Sequence, residues 1–529
     1  MAAKPEPARG AHKGPRREGQ GAPGANRAGA QRGPGPGQQR GSARGRQRTD
    51  PARRVAFDVL RAVAERDSYA NLLLPSLLHE RGITGRDAAL ATELTYGTLR
   101  GMGTYDAILG ACSDRDDLDP PVRDILRLGA HQLLATRIGS HAAVATSVDL
   151  AKDVCGLRPS GFVNAVLRRV STRDLDAWTE LVAPRRSADE ASYLSVTCSY
   201  PRWIVEAFHD ALGESGYAET EQALAAGNER PDVVLAVLGG APADLRAPAD
   251  LRAPSGEGAL VVGGEPTRWS PFGLRLSAGG DPSALIATGR AAAQDEASQL
   301  VALALSQVPL TGEALPGEGE VDAGTGPDRR WLDMCAGPGG KARLLSYLAV
   351  GRDGHLAAAE YRPHRAKRVQ EALSRTATAV QAMAGGNTAV LVADGLRAAW
   401  RPQAFDRVLA DVPCSGLGSL RRRPEARWRK TPADIPELAA LQRGLLNSAI
   451  DSVRPGGVVA YVTCSPHLAE THEVVAAITG ARSDVVVLDA PAVMTDIPGL
   501  ASPHDPRLAQ FWPHRHGTDA MFLALLRRG

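Results

Sequence analysis

The last two hundred residues of the chain alternate short apolar segments with helical patterns, and this alternation restricts the possible folds more than any other feature. Strand–helix alternation predicts a doubly wound parallel sheet whose ligands bind at the carboxyl ends of the strands. The predicted strands are Trp331–Met334, His355–Glu360, Ala389–Ala393, Arg407–Asp411, Val458–Thr463, Val485–Leu488 and Met521–Leu526. We therefore expect an α/β domain over 291–529 with a seven-stranded, mostly parallel sheet.

The chain before this domain divides into three segments. Residues 51–175 have helical periodicity, with Val55, Val59 and Val63 on one face, and they predict an all-α domain. Residues 176–290 form a predicted connecting subdomain with a strand at 233–238. This subdomain contains the repeat Ala-Asp-Leu-Arg-Ala-Pro at 243–248 and 249–254, which we interpret as an exposed loop insertion. A second Gly/Pro-rich insertion is predicted at 311–330.

Residues 1–50 form a basic segment without Val, Ile, Leu, Phe, Tyr or Trp, so we predict a disordered tail. Eleven Lys/Arg against three Asp/Glu give the tail a charge of +8, and the total of +3 leaves −5 for the remainder. A basic tail suggests a polyanionic partner, although a solubilising extension is an equal alternative. The tail lacks a secretory apolar stretch, and no apolar run in the chain is long enough for a membrane span.

The six cysteines are scattered, with no CxxC pair and no histidine at zinc-site spacing, so we expect no metal site. Scattered thiols fit a reducing, cytoplasmic setting. Any functional cysteine should therefore act as a thiol.

The first predicted strand of the sheet leads directly into a glycine-rich loop. Glycines allow close approach of a ligand, and the helix that follows offers free N–H groups. Such a loop can also bind a dinucleotide or be a tight turn without a ligand. The loop residues are Cys335, Ala336, Gly337, Pro338, Gly339, Gly340 and Lys341.

Acidic residues mark the ends of the first four strands and narrow the choice of ligand. Glu360 is placed to accept hydrogen bonds from ribose hydroxyls, Asp394 to meet an adenine edge, and Asp411 ends the fourth strand. Acids at these positions would repel a pyrophosphate. They suit the positively charged sulfonium of S-adenosylmethionine.

Two cysteines follow neighbouring strands of this predicted sheet, Cys414 in Asp-Val-Pro-Cys-Ser-Gly and Cys464 in Thr-Cys-Ser-Pro. Carbon 5 of a pyrimidine accepts a methyl group only after a thiolate adds to carbon 6, so paired thiols beside a methyl donor indicate this chemistry. Asp411 is placed to hydrogen-bond the base. Residue chemistry alone leaves open which thiol is the nucleophile, and a lone cysteine is usually structural.

These motifs resemble those of the Sun/Nop-type ribosomal RNA cytosine-5 methyltransferases. The resembling stretches are 294–299, 333–341, 411–416 and 461–465, while 93–97 and 162–169 resemble the RNA-binding NusB fold. The resemblance implies a NusB-like helical domain followed by a Rossmann-like S-adenosylmethionine methyltransferase domain. It also implies 16S RNA as the substrate, free or in an early assembly intermediate, and we expect a monomer.

The resemblance implies that Cys464 is the nucleophile and that Cys414 assists release of the product. It implies cofactor contacts from 335–341, Glu360, Asp394 and Asp411. The chain departs from the family after Thr-Cys-Ser, where Glu-Thr-His-Glu stands at 470–473 in place of Glu-Asn-Glu.

A basic run follows Cys414 and predicts a path for single-stranded RNA, in which phosphates are neutralised and a base stacks. A solvated helix face is the alternative. The predicted RNA contacts are Arg421, Arg422, Arg423, Arg427 and Trp428. His467 and His472 are candidates for a base but are more typical of surface histidines.

Two other functions compete with this prediction. A methyltransferase acting on exocyclic amines needs a second proline and an aromatic residue after strand four, and Asp-Val-Pro-Cys has neither. A non-catalytic ribosome-assembly factor would need neither Cys414 nor Cys464.

Overall fold

The computed structural model describes residues 49–529 except 67, 116, 240–263, 277–281, 312–327 and 381–387. The predicted tail, the repeat at 243–254 and the second insertion lie outside the described residues, apart from a few residues at the ends of the tail and the insertion. Among the residues described, no helix is both long enough and apolar enough to cross a membrane.

Helices form most of the described chain from 51 to 226, so the helical pattern predicted for 51–175 is present and continues into the predicted connecting subdomain. Val55 and Val59 are fully buried and Val63 is nearly so, because their spacing places them on one face of the first helix. Gly129 allows two helices to meet closely, since a Cβ there would lie 2.6 Å from the Leu167 side chain. The helices are α1 (Pro51–Arg66), α2 (Ala70–Glu80), α3 (Gly85–Arg100), α4 (Met102–Cys112), α5 (Pro120–Leu134), α6 (Ser140–Cys155), α7 (Ser160–Val170), α8 (Leu175–Val182), α9 (Glu190–Thr197), α10 (Arg202–Leu212) and α11 (Gly216–Ala226).

A small antiparallel sheet follows these helices, with strand order β2-β3-β1-β4. It consists of β1 (Val234–Val237), β2 (Gly264–Pro266), β3 (Gly273–Leu276) and β4 (Ala291–Ala293), and α12 (Ser283–Ala287) lies between its last two strands. The strand predicted at 233–238 is confirmed as β1. The other three were missed because Gly-Glu-Pro, Gly-Leu-Arg-Leu and Ala-Ala-Ala, unlike the Val-Leu-Ala-Val of β1, are not continuous runs of large apolar residues.

The main sheet has the order β10-β12-β9-β8-β5-β6-β7, with a two-residue strand pairing beside β12. All seven predicted strands are present, and the pairings among β5 to β9 are parallel while β10 and β12 are antiparallel. The strands are β5 (Arg330–Asp333), β6 (His355–Glu360), β7 (Thr388–Val392), β8 (Phe405–Asp411), β9 (Val453–Thr463), β10 (Val485–Leu488), β11 (Ala509–Gln510) and β12 (Phe522–Arg528).

Apolar cores cover both faces of this sheet. In β8, Val408 and Ala410 belong to one core and Leu409 to the other, as expected for a strand buried on both sides. The remaining helices are α13 (Glu296–Gln307), α14 (Gly340–Val350), α15 (Pro363–Ala379), α16 (Ile435–Ser452), α17 (His472–Ala481), α18 (Ala490–Val493) and α19 (Pro513–His516). The predicted fold class, a helical domain followed by an α/β domain, is confirmed.

Candidate active site

Two thiols meet where β8 and β9 leave the sheet. The strands are parallel neighbours with Asp411 opposite Val462, so they end almost level with each other. Cys464 directly follows β9 and Cys414 comes three residues after β8. Their Sγ atoms lie 3.3 Å apart and both side chains are partly buried. The predicted proximity of the two thiols is confirmed.

The Glu470 carboxylate holds both thiol-bearing loops. Its Oε1 accepts a 2.7 Å hydrogen bond from the backbone N–H of Ser415, next to Cys414. Its Oε2 accepts from the hydroxyls of Ser415 and Ser465, and the bond from Ser465, next to Cys464, is 2.6 Å long. One fully buried carboxylate therefore fixes the positions of both cysteines.

Sequence reasoning missed this role of Glu470, treating the run 470–473 only as a departure from a pattern. A serine directly follows each cysteine, and this pair of serines was the available signal. Buried hydroxyls need a hydrogen-bond acceptor, and two hydroxyls at adjacent strand ends can share one.

The charges around the two sulfurs are asymmetric. Lys341 contacts the Asp411 carboxylate at 2.8 Å and its positive charge acts on Cys464. The hydrogen bond that Cys464 shares with the Cys414 thiol lowers the pKa of Cys464, although burial and Asp411 oppose this. The same hydrogen bond, burial and the charge of Glu470 raise the pKa of Cys414 well above its ordinary value. Cys464 therefore ionises first.

The glycine-rich loop joins β5 to α14 in a close-packed turn. A Cβ on Gly337 would lie 2.1 Å from Glu360 Oε2, so only glycine fits there. Gly339 has a φ of +112°, which glycine adopts without strain. Among the described residues no side chain caps the start of α14, and the first N–H groups of a helix have no partner within the helix, so they can bind an anionic group of a ligand.

Asp333 is a buried acid at the end of β5. It is 1% exposed, and neither carboxylate oxygen has a hydrogen-bond partner of normal geometry among the described residues. Burial and the negative charge of Asp411 raise the pKa of Asp333 to about 8, and the charge of Lys341 and the nearby Cys335 amide offset only part of this. A cationic ligand group beside Asp333 would compensate its charge.

A cavity of about 780 Å³ opens above these strand ends, and Asp333, Gly337, Lys341, Asp411 and Cys464 line its floor. The structure thus brings together the glycine loop, two of the acids and one thiol.

The other two predicted cofactor acids lie at the neighbouring strand ends with local partners. Glu360 accepts a 2.9 Å hydrogen bond from the Arg362 amide. Asp394 accepts a 3.0 Å hydrogen bond from the Leu396 amide. Their roles as cofactor contacts stay predictions.

Comparison with known proteins places this architecture in a family. The family model described as 16S rRNA methyltransferase RsmB/F matches residues 325–527, and the NusB family model matches 50–172. A putative methyltransferase of Mycobacterium tuberculosis is 48% identical over 485 residues, which cover 90% of this chain and 96% of that protein. The chain belongs to the RsmB/F methyltransferase family.

Other RsmB/F relatives match over nearly their whole length. A probable ribosomal RNA small subunit methyltransferase B of Synechocystis is 30% identical, with 90% of this chain and 99% of that protein covered. The corresponding protein of Bacillus subtilis is 28% identical over 90% of this chain and 98% of its own. The solved structure of PH0851 has a TM-score of 0.67 at 21% identity, covering 91% of this chain and 99% of that one, and supports the fold.

In this RsmB/F chain the predicted RNA contacts need correction. Arg427 is completely buried, and its guanidinium donates to the carbonyl oxygens of Ser199 and Gly227 and to the Tyr200 hydroxyl. It also lies 3.7 Å from the centre of the Tyr200 ring. A side chain without solvent access cannot bind RNA phosphates, so the prediction for Arg427 is wrong.

Arg421 and Arg422 are neutralised by two acids of the catalytic domain. Asp295 accepts from both guanidinium groups, at 2.8 Å and 2.7 Å. Asp519 also accepts from both, at 2.5 Å from Arg421 and 2.9 Å from Arg422. Sequence reasoning missed both acids, although Asp295 stands inside one of the resembling motifs. These two arginines line the cavity as members of an ion-pair cluster.

The segment after Cys414 instead fastens the catalytic domain of this RsmB/F chain to its helical domain. The Glu425 carboxylate accepts a 3.1 Å hydrogen bond from the Ala70 amide at the start of α2. The Trp428 ring packs on α4, where a Cβ on Gly103 would lie 2.5 Å from it. Arg429 donates to the Val63 and Ser68 carbonyls. The interpretation of Trp428 as an RNA-stacking residue therefore loses support, although 38% of the side chain is exposed.

The two histidines after Cys464 are not typical surface residues. His467 Nδ1 accepts a 3.2 Å hydrogen bond from the Ala469 amide. The ring of His472 lies within 2.7 Å of the Ser502 hydroxyl, and burial lowers its pKa to about 4. Both rings have local structural partners.

Proposed function

We propose that this chain transfers a methyl group from S-adenosylmethionine to carbon 5 of a cytosine in 16S ribosomal RNA, through a covalent bond between Cys464 and carbon 6 of the base. The observation that carries the proposal is the pair of thiols 3.3 Å apart beside Lys341 and Asp411. Membership of the RsmB/F family and the names of the relatives from Synechocystis and Bacillus subtilis support ribosomal RNA as the substrate.

The residues around the glycine loop fit S-adenosylmethionine, which supplies an electrophilic methyl group when bound. The buried carboxylate of Asp333 has no hydrogen-bond partner of normal geometry among the described residues and suits a cationic group, and the uncapped N–H groups at the start of α14 suit a carboxylate. Glu360 and Asp394 are proposed to bind the nucleoside part from the adjacent strand ends.

Cys464 begins the reaction as a thiolate, stabilised by the Cys414 hydrogen bond and the Lys341 charge. Its sulfur adds to carbon 6 of the cytosine, and the electron pair displaced onto the ring makes carbon 5 nucleophilic. Asp411 accepts a hydrogen bond from the exocyclic amine and thereby orients the ring. Carbon 5 then takes the methyl group of bound S-adenosylmethionine, and the electron pair of the broken sulfur–methyl bond remains on the cofactor sulfur.

A base then takes the carbon 5 proton, the electron pair of that bond restores the double bond between carbons 5 and 6, and the Cys464 sulfur leaves carbon 6 as a thiolate. Cys414 lies next to the sulfur that must depart, and its raised pKa keeps it protonated. It therefore donates a hydrogen bond to the leaving thiolate. This geometry supports release of the product as the role of Cys414.

The thiol can reach carbon 6 only when the cytosine is unpaired or flipped out of its helix. The experiment is to incubate the protein with methyl-labelled S-adenosylmethionine and unmodified 16S RNA and to map the modified nucleotide. We expect label on carbon 5 of a cytosine. Label on a cytosine amine, or RNA that stays unlabelled, would contradict the proposal.

A further inference from the structure

The cavity above Cys464 has a second wall that belongs to other parts of the chain. Tyr96 and Arg100 on α3, and Arg230 after α11, line it together with Arg423 from the segment after Cys414. The helical domain and the connecting segment therefore face the proposed reaction site directly.

Three arginines on this wall have no acid within ion-pair distance among the described residues. In the part of the chain that the structure describes, Arg100, Arg230 and Arg423 make no ion pair within 4.0 Å, unlike Arg421 and Arg422 beside them. Aromatic rings hold two of them, since Arg100 lies 5.7 Å from the centre of the Tyr96 ring and Arg423 lies 5.4 Å from that of Tyr69.

Arg100 is the most constrained of the three. Its Nε is buried and has no hydrogen-bond partner among the described residues. Burial lowers the pKa of Arg100, and the charge of Arg230 acts in the same direction, while Glu93 and Tyr96 oppose them. Glu93 also lines the cavity and its charge interacts with those of Arg100 and Arg230, while its carboxylate contacts the His131 ring at 3.5 Å. Two arginines that repel each other beside a cavity are stabilised when an anion enters between them.

We infer that Arg100, Arg230 and Arg423 bind the RNA backbone phosphates next to the target cytidine. The helical domain and the catalytic domain would then contact the same RNA strand from opposite sides. This inference rests on the proposed function, because the strand must enter the cavity above Cys464. Phosphate oxygens accept charge-assisted hydrogen bonds from guanidinium groups, and arginine suits them geometrically.

The test uses the variants Arg100→Gln, Arg230→Gln and Arg423→Gln. The affinity of each variant for unmodified 16S RNA is measured over a range of salt concentrations. We expect each change to weaken binding about tenfold, and the slope of log K against log salt to fall by roughly 0.7 to 0.9 for each phosphate that is no longer neutralised. Replacement of Arg230 by Lys should retain most of the affinity.

Arg401→Gln is the matched control, because Arg401 is exposed and lies outside the cavity lining, and its RNA affinity should equal that of the unmodified protein. Binding of a non-reactive S-adenosylmethionine analogue, measured by calorimetry, should be unchanged in all variants, which separates weaker RNA binding from misfolding. Wild-type RNA affinity and salt slope in the three variants would overturn the inference while leaving the proposed function intact. A wild-type protein that binds RNA in this salt-dependent way but labels no cytosine would overturn the proposed function alone.

Discussion

The sulfur atoms of Cys414 and Cys464 lie 3.3 Å apart, at the ends of two neighbouring parallel strands. The surrounding charges distinguish the two thiols, because Lys341 acts on Cys464 and Glu470 acts on Cys414. The structure thus provides a physical reason for different roles that the spacing of the motifs alone does not provide.

Thiol reactivity tests this asymmetry directly. At pH 7 we expect iodoacetamide to alkylate Cys464 faster than Cys414, because only the thiolate is a good nucleophile. Lys341→Met should slow alkylation of Cys464. Mass spectrometry of the peptides measures both rates, and buried Cys198, whose pKa is raised to about 11, serves as the internal control. Faster labelling of Cys414 would contradict the assignment.

Replacement of Glu470 by Gln should disturb both cysteine loops, because an amide nitrogen would face hydroxyl and N–H donors in place of a carboxylate oxygen. We expect kcat to fall about 100-fold, as for small displacements of reacting groups, with unchanged cofactor affinity. The control is Glu473→Gln, an exposed residue three positions further on. Equal kcat in the two variants would show that Glu470 does not position the thiols.

Asp333→Asn should stabilise the protein at neutral pH while weakening cofactor binding about tenfold or more. Folding raises the pKa of Asp333 from 3.8 to about 8, so the folded state binds the proton more tightly than the unfolded state. The contribution of Asp333 to stability therefore falls as the pH rises from about 4 to about 8.

Melting temperatures across that pH range, with and without a cofactor analogue, measure both effects. The exposed Asp496 provides the control Asp496→Asn, which should leave the melting temperature and the cofactor affinity unchanged. A lower melting temperature for Asp333→Asn at pH 7 would argue against a buried, uncompensated carboxyl.

Arg427→Ala should destabilise the protein by about 3 kcal/mol, because acceptors in the connecting segment and the Arg100 carbonyl of the helical domain lose their donor. The destabilisation should appear in chemical unfolding, and protease cleavage between the helical and catalytic domains should become faster. Arg137→Ala, at an exposed position of the helical domain, should change neither the free energy of unfolding nor the rate of protease cleavage. If Arg427→Ala instead weakened RNA binding with unchanged stability, an RNA-binding role for Arg427 would be restored.

Much of the fold follows from local sequence patterns. The strands His355–Glu360 and Val485–Leu488 occur with the predicted boundaries, because short apolar runs between helical stretches are a direct signal. The proximity of Cys414 and Cys464 was also predictable, since topology places β8 beside β9. The three short strands of the small sheet carried no such signal.

Contacts between residues that are far apart in the chain explain which side-chain roles could not be predicted from the sequence. Arg427 appears in a basic run that is typical of an RNA-binding surface, yet its acceptors lie at least two hundred residues away in the chain. The acids that neutralise Arg421 are likewise distant, at Asp295 and Asp519. A charge pattern in one segment contains no information about which distant groups fold against it.

Trapping of the covalent intermediate tests the central claim most directly. Cys414→Ala and Cys464→Ala variants are each incubated with unmodified 16S RNA and S-adenosylmethionine and analysed on denaturing gels. The account predicts that Cys414→Ala accumulates a covalent protein–RNA adduct because product release is impaired, and that Cys464→Ala forms no adduct and does not turn over. An adduct that forms with Cys464→Ala and is absent with Cys414→Ala would contradict it.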